Sequence, residues 1–190
     1  VRGFLVVVAG PSGAGKGTII RRLLELRPDV RYSVSMTTRA PRPSEVDGKD
    51  YFFVTRDDFV ELRDAGGFLE WFEVYGDLKG TPRAAVEAEL AAGHDVLLEV
   101  DVQGAMAVKE RFPDALMIFV KPPSREVQRQ RFLERHRDDP AFDPADLERR
   151  LAQADEEEAL AAKFDEVVVN DDLERAVAQV AGILDARRET

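Results

Sequence analysis

Apolar residues follow two alternating rhythms along this chain. Short, near-continuous runs rich in valine, leucine and isoleucine occupy residues 4–9, 95–100, 115–120 and 166–169. Between them, apolar positions return at helical spacing over residues 17–27, 103–112, 124–137, 146–163 and 172–188. The first rhythm predicts strands buried on both faces, and the second predicts amphipathic helices. Their alternation predicts an α/β fold, a three-layer core with a parallel sheet between helices. Ligands of such sheets bind beyond the carboxyl ends of the strands, here after residues 9 and 100.

Residues 33–92 break the rhythm. Ser33 to Asp50 is polar and rich in Pro, Arg and Thr, and short aromatic pieces follow at 51–54 and 68–75. Thr55 to Ala65 reads as a helix with Thr55 as N-cap and Asp58 closing a capping box. Thr81-Pro82 reads as the start of another, with Pro82 at the first helical position. The expected organisation is a core of residues 1–32 and 93–190 and an inserted α+β lobe of residues 33–92. Asp138 to Asp146, acidic and Pro-containing between two Arg-rich helices, reads as the mobile tip of a lid spanning about residues 131–150. The Asp155-Glu156-Glu157-Glu158 run reads as a solvated helix face, and Trp71 and the phenylalanines as core. His94 and His136 have no partner pattern for a triad or a metal and read as surface residues.

At 190 residues the chain is long enough for one substantial core with small inserted subdomains. Its net charge of −10 argues against nucleic acid or a membrane surface as partner. An anionic ligand must then be held by a local basic pocket. There is no cysteine, hence no disulfide framework and no thiol chemistry. The apolar opening is too short for a signal peptide and runs straight into a glycine-rich loop, so it reads as a core strand. The expected location is the cytoplasm.

That loop, Gly10-Pro11-Ser12-Gly13-Ala14-Gly15-Lys16-Gly17-Thr18, carries the strongest chemical signal. It lies between a predicted strand and a predicted helix, the setting of a phosphate-binding P-loop. Glycines let successive backbone N–H groups turn inward on an anion, the helix adds its positive end, and Lys16 reaches the β- and γ-phosphates. A plain glycine turn is the alternative, but strand, spacing, lysine and helix all agree on the P-loop. Gly17 stands where a hydroxyl residue usually follows the lysine, and Thr18 comes one step later. That ending is similar to the loop of adenylate kinases, and it predicts a magnesium ion held through water. Residues 95–101 resemble a strand delivering the carboxylates of Glu99 and Asp101 to orient hydrated magnesium. Arg39 and Arg42 sit in a Pro-flanked loop, and Arg131 and Arg135 lie four apart on one helix face, with Arg150 further on. Arginine forks hold phosphate oxygens and neutralise charge that spreads in a transition state. Arg125, Arg129, Arg137 and Arg149 read instead as surface residues paired with acids.

The strings SVSMTTRAPRPSEVDGKDYFFV (33–54), FLEW (68–71), LLEVDVQGA (97–105) and FDEVVVNDDL (164–173), with the loop, resemble the guanylate kinases. The resemblance runs through essentially the whole chain in order. It implies a P-loop core with a GMP-binding lobe and a lid, and transfer of the γ-phosphoryl group of ATP to GMP with magnesium. By resemblance, Ser35 and Glu70 read guanine, with Thr81 and Asp101 close by. Arg39, Arg42 and Tyr51 hold the GMP phosphate. Lys16, Arg131, Arg135 and Arg150 surround the transferring phosphates, and Asn170 lies beside the adenine of ATP. Guanine offers two adjacent donors that one carboxylate accepts together, whereas adenine would set a lone pair against it. The chain departs from the family where Asp77-Leu78-Lys79-Gly80 replaces a second tyrosine, so that Lys79 either takes over the phosphate contact or is simply exposed. It departs also at His136, where glycine is common, and in a longer lid. The alternatives are a guanylate-kinase-like protein-binding module without catalysis and a kinase for another small phosphorylated acceptor. Oligomeric state and use of dGMP stay open.

Overall fold

A computed structural model describes residues 3–74, 76–137 and 143–189. The first predicted unit forms as β1 (Leu5–Ala9) and α1 (Lys16–Leu26), with the glycine-rich loop between them. The chain continues through β2 (Val30–Tyr32), β3 (Met36–Thr37), β4 (Phe52–Phe53), α2 (Arg56–Asp64), β5 (Phe68–Val74), β6 (Asp77–Pro82) and α3 (Arg83–Ala91). It ends with β7 (Asp95–Glu99), α4 (Val102–Arg111), β8 (Leu116–Lys121), α5 (Arg125–Arg135), α6 (Pro144–Ala159), β9 (Glu166–Val169) and α7 (Leu173–Arg188). One sheet has the order β2-β7-β1-β8-β9, with β2–β7 and β8–β9 parallel, which is the α/β architecture expected. A second sheet has the order β4-β3-β6-β5 and is mixed, with β6 antiparallel to both neighbours.

By compactness the chain divides into one unit of Val1–Val7, Asp29–Leu98 and Gln103–Leu116 and another of Val8–Pro28, Glu99–Val102 and Met117–Thr190. In the first unit, Phe59 of α2 stacks on Phe68 of β5 with ring centroids 4.3 Å apart, and Leu78 closes the cluster. Arg111 of α4 donates to the carbonyls of Phe68 and Leu69. In the second unit, α1 and α7 carry the ion pairs Arg22–Glu174 (3.0 Å) and Arg27–Asp185 (2.8 Å). Both pairs include an exposed acid and add little to the apolar contact beneath. Phe119 of β8 is fully buried and meets Phe164 edge-on at 5.2 Å. Side-chain caps start the helices: Thr55 accepts from Asp58 N, Ser124 from Val127 N, Asp143 from Ala145 N and Asp172 from Arg175 N.

Two sequence expectations change here: the helix start at Thr81-Pro82 and the burial of Trp71 and of every phenylalanine. Thr81-Pro82 ends strand β6 and does not open a helix; Pro82 is the N-cap of α3, one position before the first helical residue. Pairing with β3 and β5 overrides the poor strand propensity of Asp-Leu-Lys-Gly-Thr-Pro. Trp71 is 42 % exposed, with Arg63 over its ring, and Phe52 is also exposed. A bulge between Phe68 and Glu70 explains the tryptophan: it buries Phe68, Leu69 and Glu70 in succession and turns Trp71 outward. In the expected lid tip, residues 138–142 lie outside the described residues, while the rest already belongs to α6 and its cap. His94 and His136 are half-buried, the first bonded to Glu89 (2.6 Å) and the second stacked on Phe132. Among the described residues no helix is long and apolar enough to cross a membrane.

Phe119→Ala is expected to cost about 3–5 kcal/mol, by transfer plus cavity terms, in urea unfolding followed by circular dichroism.

Candidate active site

The loop between β1 and α1 is built as an anion cradle. Gly13 and Gly15 have φ of +80° and +85°, which side chains with a Cβ rarely adopt, and a Cβ on Gly15 would come 2.3 Å from Asn170 Nδ2. Several of the loop's carbonyls are held by side-chain donors. Lys16 Nζ donates to Gly10 O (2.7 Å) and Pro11 O (3.2 Å), closing the loop on itself. The carbonyl of Ala14 accepts from Asn170 Nδ2 (2.8 Å) and from Arg131 Nη1 (3.3 Å). Arg131 also donates to Asn170 O (2.9 Å), so the end of β9, the first residues of α1 and α5 are stitched together.

The predicted cations converge here. Gly13, Gly15, Thr18, Arg131, Glu134, Arg135, Asn170 and Leu173 line a cavity of about 360 Å³. Arg150 of α6 donates to Ser12 Oγ (3.3 Å) and lies over the Phe132 ring. Glu99, at the end of β7, faces Gly17: its carboxylate oxygens would stand 3.9 Å from a Cβ built there. Glu157 is not the solvated residue expected of its acidic run. It is half-buried, and burial raises its carboxyl above the ordinary range, reinforced by Asp101 and opposed by Lys16 and Arg150. Among the described residues, three of the four arginines read as acid-paired have acid partners. Arg125 pairs with Asp155 and Glu158, Arg129 with Glu148, and Arg149 with Asp146.

A second cluster stands in the unit that holds the mixed sheet. Ser35 is buried at the entry to β3. Glu70 and Thr81 face each other across β5 and β6, both buried, and Thr81 Oγ1 donates to Glu70 Oε1 (2.6 Å). Arg39 forks onto Glu45 through two bonds of 2.8 and 2.9 Å. Its guanidinium lies 5.4 Å from the centroid of the Tyr51 ring, and Lys79 Nζ stands 5.1 Å from the same centroid. Lys79 is therefore half-buried against Tyr51, not simply exposed. Arg42 joins through its backbone, its N–H donating to Glu45 Oε2 (2.8 Å), while its side chain is exposed.

A family model described as guanylate kinase matches residues 2–187. The chain belongs to the guanylate kinase family. It is accordingly an enzyme, an ATP:GMP phosphotransferase. Guanylate kinase of Symbiobacterium thermophilum is 49 % identical over 98 % of this chain and 87 % of its own length. That of Rubrobacter xylanophilus is 50 % identical over 96 % of this chain and 94 % of its own. The crystal structure of guanylate kinase from Anaplasma phagocytophilum superposes with a TM-score of 0.81 at 34 % identity, covering all of this chain and 88 % of that one.

Three residues that touch these two clusters had no role in the sequence reading. Glu45 stands three residues after Arg42 within the string at 33–54, a spacing that fits a turn and could have marked it as an arginine partner. Glu157 was hidden in an acidic run. Gln128 is buried beneath the loop with nothing in the sequence to distinguish it from an exposed helical glutamine.

The hydrogen-bonded Arg39 guanidinium holds the Glu45 carboxyl below its ordinary value of 4.5. The folded chain thus binds that proton less tightly than the unfolded chain. The stabilisation is complete above the unfolded value and is lost as pH falls through the folded one. Glu45→Gln is expected to flatten the acid limb of stability as pH falls below the ordinary carboxyl value of 4.5, by less than about 1 kcal/mol because the pair is partly solvated. Urea unfolding as a function of pH measures it.

Proposed function

We propose that the Gly10–Thr18 loop binds the phosphates of ATP and that the Ser35–Arg39–Tyr51–Glu70–Thr81 cluster binds GMP. The observation that carries the donor reading is the convergence of Lys16, Arg131, Arg135 and Arg150 around one glycine-rich loop in a chain of net charge −10. Asn170 would flank the adenine. On the acceptor side, Thr81 already occupies Glu70 Oε1 and fixes the rotation of its carboxylate, which suits one edge of guanine. Arg39, Arg42, Tyr51 and Lys79 would hold the GMP phosphate, Arg39 being preset by Glu45. Asp101 is assigned to the acceptor's base and to the metal's water shell. In this reading residues 33–92 are the acceptor lobe and residues 1–32 and 93–190 the donor core.

Magnesium fits the donor set. Thr18, Glu99 and Asp101 offer only hard oxygen ligands. Among the described residues no group of three or more acids, histidines or cysteines is placed to hold a metal alone. An ion that keeps its waters and leans on phosphate oxygens suits that arrangement. Bound there, it would neutralise charge on the phosphates. The transfer is direct and in line. The acceptor is already a phosphate anion, so no general base and no covalent enzyme intermediate are required. The residues act by position and charge: Lys16 and the arginines bear on the donor's phosphates, and Glu70 sets the acceptor's base. The proposed location is the cytoplasm, in keeping with an acidic, cysteine-free chain.

A coupled ADP-release assay with ATP and magnesium, offering GMP, dGMP, AMP, CMP and UMP in parallel, tests the reading. Turnover confined to the guanine nucleotides supports it, and turnover with none of them contradicts it. Lys16→Ala is expected to lower kcat by about 10²–10³-fold with the fold retained. Glu70→Ala is expected to lower kcat/KM for GMP by about 10²-fold or more and to narrow the gap to AMP. A variant that keeps its full guanine preference would remove Glu70 from the base-reading role.

A further inference from the structure

Gln128, in the first turn of α5, is a buried polar side chain that the roles above leave unused; it is 1 % exposed. Its Nε2 donates to the Ser12 carbonyl (2.7 Å), and its Oε1 accepts from Arg125 Nη1 (2.5 Å). Its stem also presses on the loop: a Cβ on Gly13 would come 3.0 Å from Gln128 Cγ and 2.9 Å from its backbone oxygen. Burying an amide costs more than burying an apolar side chain of the same size unless its donors and acceptors are matched. The two bonds are what make a glutamine tolerable here.

The consequence follows from the geometry of a trans peptide, in which the carbonyl and the next residue's N–H point in opposite directions. The described residues contain no cis peptide bond. Drawing the Ser12 oxygen toward α5 therefore turns the Gly13 N–H away from α5. Gly13 lines the cavity beside Thr18 and Arg131. Asn170 and Arg131 do the same one step on, holding the Ala14 oxygen and so fixing the orientation of the Gly15 N–H. Gln128 is itself held from α6, because Arg125 pairs with Glu158 (3.1 Å) and with Asp155. The same helix reaches the Ser12 hydroxyl through Arg150 (3.3 Å).

We propose that Gln128 is a positioning residue of the donor site: by holding the Ser12 carbonyl it aims the Gly13 N–H at the donor nucleotide's phosphates. Arg125 ties that aim to helix α6. The inference rests on the reading of the loop as the ATP phosphate site.

The test uses Gln128→Met, which keeps length and volume but offers the Ser12 oxygen no donor. Gln128→Glu keeps the bond to Arg125 but sets a carboxylate oxygen against the Ser12 oxygen. Magnesium–ADP is titrated by calorimetry into the enzyme and both variants, and ATP and GMP are varied separately in steady state. The expected result is about tenfold weaker ADP binding and a similar rise in KM for ATP in Gln128→Met, and at least as large a loss in Gln128→Glu. KM for GMP is expected to stay within about twofold. Unchanged ADP affinity in whichever variant folds overturns the inference, as does a fall in melting temperature alone or an equal rise in both KM values. Failure of the unaltered enzyme to bind ADP overturns the donor-site reading and the inference with it. Normal binding by the enzyme and by the variants overturns the inference alone.

Discussion

A backbone that turns its N–H groups toward an anion must turn carbonyls the other way, and every carbonyl so exposed to the interior needs a donor. The loop between β1 and α1 is organised around that constraint. Lys16 serves Gly10 and Pro11, Gln128 serves Ser12, and Asn170 with Arg131 serves Ala14. The donors come from α1, α5 and the end of β9, so the loop's shape is a readout of where those three elements sit. A lysine and an arginine that would otherwise repel one another are tolerated because each is bonded to the loop's own carbonyl oxygens. The cradle is thus assembled, with its cations in place, by the packing that builds the second unit's core.

The cluster proposed for the acceptor solves the opposite problem, a carboxylate buried at 3 % exposure. Glu70 is seated by a strand bulge and by the Thr81 hydroxyl across the ladder, so that its rotation is set before any base arrives. Arg39 is restrained in the same way by a fork onto Glu45. Under the proposed roles both groups would lose little conformational freedom on binding a nucleotide, which is where preorganisation gains affinity.

What the sequence made legible was whatever obeys a period or a motif. The apolar runs of β1, β7, β8 and β9 and the helices around them were visible because tertiary packing there agrees with local pattern. The loop was visible because its glycines and lysine sit at fixed spacing. β2 and β6 were not: Val30–Tyr32 is three residues long, and Asp77–Pro82 contains Gly and Pro, so their neighbours decide their conformation. The cations that gather around the loop were picked out by residue type, and the strings at 33–54 and 68–71 suggested roles for the second cluster by resemblance. Glu157, Glu45 and Gln128 escaped because their importance lies in what they touch. An acidic run or a helical glutamine looks the same whether it faces water or a buried loop.

Gly17 sits in the first turn of α1 with ordinary backbone angles, and a Cβ there would meet only the Glu99 carboxylate, at 3.9 Å. The missing hydroxyl beside Lys16 is therefore not enforced by crowding. The two spellings of the phosphate loop, with and without that hydroxyl, differ here at a position open at Cβ, and glycine's poor helix propensity, about 1 kcal/mol worse than alanine, leaves the spelling with a side chain the better helix former.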